Sequence, residues 1–409
     1  MNYIKKDIVV NKIFFYILLF VVYILDNAAF VVLKATSQKS SMIIGLVSCI
    51  FIFIIIGEKK VFTINKRYFT IIICLLIVIS LQFIFSSVIF ANVDMQRFIS
   101  SCLLMIIVLA IAPLFADFME LVDEISFNEV INFAYCFMTT IGVISLLLIK
   151  FNLVNNKSMI IFSEPSHFAF VYLPFLLYRA YSATKNKRLL SILVGLILAI
   201  EIENLTLLVG ICLIIILVYW KKKRMAITII CIGFIVINIA GVDKIAYFTD
   251  RLQITSQTSN ISALVWLSGW ERAYLSFFDS YGLGVGFQQM GIIGQIGKYM
   301  NYLSGIIGGE YLNMFDGGST GAKIIDELGV LGVMLIVVYL IYFFRIMKSF
   351  VTNKVSSNIE LFLLSVYIMF SIQLFVRGIG YFSPSAFMFF VSIYWIAFKR
   401  NLVKKAINK

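Results

Sequence analysis

Twelve apolar stretches, separated mostly by short polar connectors, run through this 409-residue chain and leave little from which a water-soluble core could be built. They cover residues 8–27, 41–57, 68–90, 98–117, 130–150, 167–181, 188–202, 204–220, 225–241, 326–346, 359–377 and 384–398. A helix crossing a bilayer needs about 20 mostly apolar residues, and it must satisfy its backbone hydrogen bonds within itself. Hydrophobic residues make up 61% of the chain and the mean hydropathy is +1.00, so lipid is the main solvent. The expected fold is an all-α integral membrane protein of about 12 transmembrane helices, forming a single domain over 1–409.

Basic residues mark alternate connectors. Lys5, Lys6 and Lys12 precede the first span; Lys59, Lys60, Lys66 and Arg67 follow the second. Arg179, Lys185, Lys187 and Arg188 follow the sixth, and Lys221 to Arg224 follow the eighth. Arg345, Lys348 and Lys354 follow the tenth, and Lys399, Arg400, Lys404 and Lys405 close the chain. Short loops rich in Lys and Arg stay cytoplasmic, so both termini are expected inside. The connector after the fourth span breaks the pattern with Asp117, Glu120, Asp123 and Glu124. The net charge of +13 is thus a topology signal, and no nucleic-acid partner is expected from cations scattered over separate loops. Asp26-Asn-Ala-Ala is a poor cleavage context, so the first span reads as a retained anchor.

All six cysteines lie in apolar stretches and are expected to pack rather than pair. With one histidine and no clustered thiols, neither a metal site nor a cofactor is expected. No internal repeat appears. The long connector, 241–325, lies on the outer side between spans nine and ten, unlike the central inner connector of a two-halves carrier. Within it, Trp266, Trp270, Ala273 and Phe277 recur at helical spacing, with Ser268, Glu271, Arg272 and Asp279 polar. A helix lying flat at the lipid–water interface over a cavity is expected there. Gly282, Gly284 and Gly286 then permit a path close to a ligand or another backbone, or a flexible turn.

The only histidine, His167, stands in Phe162-Ser-Glu-Pro-Ser-His-Phe-Ala169, where the chain re-enters the membrane. Pro165 suits the first turn of a helix, which puts Glu164 at its positive terminus and His167 one turn deeper. That pair could bind a sugar hydroxyl and accept its proton; a helix cap with a packed histidine explains it as well. Arg97, Arg251, Arg272 and Arg377 are expected at the same outer level, where a planar guanidinium fork suits phosphate oxygens. Snorkelling interfacial anchors are the alternative. Glu201, Glu203 and Asn204 occupy a tight outer turn that could be an acceptor patch or a solvated turn. Asp316-Gly-Gly-Ser-Thr-Gly321, before Asp326 and Glu327, reads as a helix cap.

Four features together carry a resemblance. They are Ser163-Glu-Pro-Ser-His-Phe-Ala169, the Trp266–Arg272 stretch leading to Gly282-Leu-Gly-Val-Gly286, Asp326-Glu-Leu-Gly-Val-Leu-Gly332, and the twelve-span layout with one long outer loop. The chain resembles the bacterial O-antigen and capsule repeat-unit polymerases (Wzy-type), in the superfamily that includes O-antigen ligases. The resemblance implies a GT-C-like polymerase/ligase architecture in the bacterial cytoplasmic membrane. It implies transfer of a growing glycan from a polyprenyl diphosphate to the terminal sugar of a lipid-linked repeat unit on the outer face. Glu164 and His167 would be catalytic, Arg97, Arg251, Arg272 and Arg377 would hold the diphosphate, and Glu203, Asn204 and Tyr381 would hold the acceptor. Its partners would be the polyprenyl-diphosphate-linked oligosaccharide, membrane lipid and a chain-length regulator protein. Ligases are similar to one another in carrying a histidine in the long outer loop, which this chain lacks. A lipid-linked oligosaccharide flippase would want charges through the bilayer, whereas these gather at one face.

Overall fold

The computed structural model describes residues 2–32, 38–56, 65–90, 92–154, 159–222, 242–252, 258–352 and 354–400, with Arg224 and Ile227; for 2–8, 38 and 242–245 it describes the backbone alone. Helix α1 (Asn2–Phe20) passes through a π turn at Val21–Leu25 into α2 (Asp26–Val32). Then come α3 (Gln38–Ile56), α4 (Lys66–Ile89), α5 (Met95–Leu121), α6 (Glu124–Lys150) and α7 (Pro165–Ser182). Helices α8 (Lys185–Glu201) and α9 (Leu205–Val218) precede the long connector 241–325. That segment contains α10 (Val242–Leu252), α11 (Ile261–Asp279), α12 (Lys298–Ile306) and α13 (Thr320–Leu328). The chain ends with α14 (Val330–Val351), α15 (Asn358–Phe375) and α16 (Pro384–Phe398).

Among the described residues, seven helical segments are long and apolar enough to cross a membrane: Val9–Val32, Lys39–Ile56, Lys66–Ile89, Met95–Leu121, Glu124–Lys150, Val330–Val351 and Asn358–Phe375. This is a helical, membrane-embedded protein. Of the other expected spans, α9 and α16 are apolar but only 14 and 15 residues long. Helices α7 and α8 coincide with the expected 167–181 and 188–202, though neither belongs to the seven. The expected 225–241 lies almost wholly outside the described residues.

Burial sorts the helices. Within its most apolar window, α15 is 83% buried, against 28% for α4 and α14. Helix α15 packs on α7, α16, α13, α14, α6 and α9. A helix apolar on every side belongs in the interior or in lipid, and here α7 and α15 take the interior while α4 and α14 present Ile, Val and Phe outward. Side-chain caps fix the helix starts: Asn65, Asp94, Asp123, Asn204, Asn260, Ser319, Ser357 and Ser383 each accept from a backbone N–H in the first turn.

The exceptional acidic connector is explained at the end of the bundle that carries the basic loops. Lys399 Nζ lies 3.0 Å from Asp117 and 3.6 Å from Glu120. Glu124 accepts from the backbone N–H of Asn358, and Asp123 caps α6. Lys12 pairs with Glu129 at the same end. The acids there join α5 to α16 and α6 to α15.

Two expectations about the long connector 241–325 change. The span expected to start at 326 starts at Val330, because the chain breaks at Gly329 (φ 56°) between α13 and α14. A Cβ at Gly329 would lie 2.0 Å from the Gly282 carbonyl oxygen, so only glycine fits. The glycines at 282, 284 and 286, all at positive φ, serve another backbone: Val285 and Gly286 donate to the carbonyls of Asp326 and Glu327, and Val330 donates to that of Gly282. Helix α11 also forms, but its buried face carries Ala263, Leu264, Ser268, Gly269, Arg272 and Ser276, while Trp266 and Trp270 are only half-buried. The apolar spacing alone assigned Ser268 and Arg272 to the polar side; a close approach of Gly269 to Gly317 and an ion pair from Arg272 turn that side inward.

Candidate functional site

Helix α7 starts at the site. Glu164 occupies its N-cap with extended backbone, Pro165 takes the first helical position, and the Glu164 side chain is left free of capping. It turns instead to Arg377, which follows α15: Arg377 Nη2 donates to Glu164 Oε2 at 3.3 Å across 213 residues of sequence. Ser166 Oγ also donates to that oxygen, at 3.1 Å. Glu164 is 45% exposed and Arg377 21%, so the pair faces the outside of the fold. Burial pushes the Glu164 carboxyl up, but Arg377, His167 and the two hydrogen bonds outweigh it and hold the group below the ordinary carboxylate range.

His167 is buried beside this pair, its Nδ1 sharing a hydrogen bond of 2.8 Å with Ser163 Oγ. Asp316, from the loop before α13, lies within electrostatic reach of His167. Arg251, on α10, lies within reach of Arg377, Glu164 and Glu203, and its guanidinium covers the Tyr247 ring at 4.2 Å. Burial lowers its pKa from the ordinary arginine value, against the pull of Tyr247, Glu203 and Glu164.

The turn between α8 and α9 supports α7. Asn204 caps α9 through Leu207 and donates from Nδ2 to the Pro165 carbonyl at 2.6 Å. It is 3% exposed, so it positions the Glu164 segment. Glu203 adopts φ 57°, its carbonyl accepts from the Tyr247 hydroxyl, and its charge lies near Arg251. Glu201 pairs with Lys150 at 3.0 Å.

A second charged group is buried behind the first. Arg272 Nε lies 3.9 Å from Asp326 Oδ1, with 2% and 0% exposure; Arg272 Nη2 donates to the Ile293 carbonyl and Ser276 to Asp326. Burial pushes the Asp326 carboxyl up to about 7, against the pull of Arg272 and Ser276. Lys323, also 2% exposed, lies 3.7 Å from Glu327 and 3.6 Å from Asp316, with its Nζ 5.4 Å from the Tyr381 ring centroid. Tyr381 stacks on Phe287, and burial raises its hydroxyl pKa well above the ordinary value. Arg97 lies over the Phe315 ring at 4.4 Å and within reach of Glu327. Lys39 joins it from α3, donating to Ser100 and Ser101.

Compared with protein-family models, curated proteins and solved structures, the chain matches none.

Of the nine residues singled out by sequence, Glu164, His167, Arg377, Arg251 and Glu203 therefore share one neighbourhood, with Asn204 bracing it. Arg272 lies in the buried group with Asp326; Arg97 and Tyr381 border Glu327 and Lys323. Lys323, Gln82, Gln289 and Lys39 escaped the sequence reading. Lys323 and Glu327 stand four apart on α13, a spacing that could have announced a pair. Gln82, in an otherwise apolar run, donates to the carbonyls of Leu283 and Glu327, and Gln289 clamps Asp94 through both its amide atoms. Lys39, at the start of α3, carried no comparable signal. Among the described residues no three His, Cys, Asp or Glu side chains gather as metal ligands. Ser319 caps α13, as its motif suggested.

Proposed function

We propose that the chain is a glycosyltransferase of the Wzy type, polymerising lipid-linked repeat units on the outer face of the bacterial cytoplasmic membrane, with twelve spans and both termini inside. The observation that carries this reading is the half-exposed ion pair between Glu164 and Arg377, with His167 and Arg251 beside it.

The pair is suited to exchange. A partly exposed ion pair contributes no more than about 1 kcal/mol, whereas a bidentate contact from arginine to a phosphate is stronger and charge-assisted. An incoming diphosphate draws Arg377 and Arg251 toward its oxygens. Glu164 then loses the countercharge that holds its pKa down, and its proton affinity rises. The acceptor hydroxyl gives its proton to Glu164 as its oxygen bonds to the anomeric carbon. The bond from that carbon to the diphosphate oxygen breaks, and the leaving diphosphate keeps the electron pair. Its charge is held by the preorganised guanidiniums. His167, hydrogen-bonded to Ser163, stands beside the reacting pair.

Glu164→Gln and Arg377→Ala, each expressed in a strain lacking the wild-type gene, are expected to lose long-chain surface glycan at least about a hundredfold while single-unit capped lipid persists. Gel display of the surface glycan reads both. Normal ladders from the two variants would reject the assignment, and loss of the single-unit product as well would favour a flippase.

A further inference from the structure

At the opposite end of the bundle, where the basic connectors gather, a cavity of about 1080 Å³ opens between α7, α8, α9, α14 and α15. Its cationic lining comes from Lys185 and Arg188 at the start of α8, and from Lys221 and Lys222 just past α9, with Tyr219 and Trp220 between them. The charges at this cavity are unevenly matched. Its two acids are engaged: Glu120 with Lys399 and the Trp395 indole N–H, Glu124 with the backbone N–H of Asn358. Lys185, Lys221 and Lys222 form no ion pair among the described residues. Among the described residues Arg188 reaches only the Ala183 carbonyl, at 3.5 Å, and its buried Nε has no hydrogen-bond partner.

Tyr219 supplies an independent sign. It is 3% exposed and its buried hydroxyl has no partner among the described residues, although Arg188 lies within electrostatic reach. A buried hydroxyl or guanidinium N–H left unpaired costs about 1–3 kcal/mol. Both belong to residues that border this cavity, beside its unpaired lysines.

We infer that this cavity binds the phosphate of an acidic phospholipid headgroup. Four cations answer a phosphate, and the volume holds a headgroup. The apolar part of the lining selects the lipid over free phosphate: Leu217, Val218, Phe350 and Val355 border the cavity along with the cations, and Trp220 is 48% exposed. Acyl chains can follow those apolar side chains while Trp220 sits at headgroup level. Juxtamembrane cations attract anionic lipid by about 1 kcal/mol each. This site is separate from the Glu164 centre and does not depend on the glycosyltransferase reading.

The test is native mass spectrometry of the purified full chain in detergent, titrated with phosphatidylglycerol, with phosphatidylcholine of the same acyl chains, or with inorganic phosphate. Phosphatidylglycerol is expected to bind at least about tenfold tighter than phosphatidylcholine. The triple variant Arg188→Gln, Lys221→Gln, Lys222→Gln should abolish that preference. Tyr219→Phe, which keeps the ring and its packing, should weaken phosphatidylglycerol severalfold, and it decides the matter should the triple variant not fold. Equal binding of the two lipids, or an unchanged preference in the folded variants, overturns the inference. Inorganic phosphate displacing phosphatidylglycerol at matching concentration overturns it too, by assigning the cavity to the free ion.

Discussion

Arg272 and Arg377 have the same side chain and opposite circumstances. Arg377 holds a carboxylate at the rim, where trading partners is easy; Arg272 holds one in the interior, where losing it is not. Removing one member of a buried pair leaves an uncompensated charge and costs about 3–5 kcal/mol. Asp326→Ala is therefore expected to lower the thermal unfolding midpoint sharply in detergent, while the double change Arg272→Met, Asp326→Leu should recover most of the loss. An intact midpoint for Asp326→Ala would show that the pair contributes nothing. The two carboxylates also respond to pH in opposite senses. Glu164 has a depressed folded-state pKa, so its contribution is present above the ordinary value of about 4.3 and fades as pH falls through the lower folded value. Asp326 is raised to about 7, so its contribution is present in acid and lost as pH rises from the ordinary range through 7. Unfolding midpoints from pH 3 to 8 should show Glu164→Gln removing part of the acid-side loss and Asp326→Asn removing part of the loss on the way to neutrality.

Among the elements, the turn joining α8 to α9 does more for the site than its length suggests. Asn204 caps one helix and holds the first carbonyl of another, so a single amide couples α9 to the start of α7. Asn204→Ala should cost about 1–2 kcal/mol as a lost cap and reduce long-chain glycan without removing any charged group. Asn204→Asp keeps the cap and loses the donor, so glycan loss without loss of stability would isolate the positioning role. The loop after α15 is equally constrained. A Cβ at Gly378 would meet the Thr320 backbone nitrogen at 2.1 Å, and the Gly378 N–H donates to the Gly318 carbonyl at 3.0 Å. Gly378→Ala must push Arg377 or the start of α13 aside, and reduced folded yield together with lost activity is expected. Wild-type yield and glycan length from Gly378→Ala would contradict that contact.

For the whole molecule, hydrogen bonds and ion pairs collect at two ends. One end has Lys39 with Ser100 and Ser101, Gln82 with Glu327, Asn204 with Pro165, and Glu164 with Arg377. The other has Lys12 with Glu129, Lys399 with Asp117, and Arg400 with Glu360. In a cysteine-free background, Glu203→Cys should react with a membrane-impermeant thiol reagent from outside intact cells, and Lys185→Cys only after permeabilisation. Labelling of both from the same side would break the topology on which an outer active site depends.

Sequence by itself determined the helical class, most helix limits and the grouping of polar ends, because period, apolar run length and capping residues act over a turn or two. The limits of α15 and α16 fall within two residues of the hydropathy reading, and Pro165 marked the start of α7. The choice among partners was not local. The buried face of α11 depended on Gly269 meeting Gly317, the break at Gly329 on the Gly282 carbonyl, and the separate fates of the arginines on which carboxylate each could reach. Charge attraction and close packing are set by distance in space, and 213 residues separate Glu164 from Arg377 along the chain. Only the tertiary structure could bring those two within 3.3 Å.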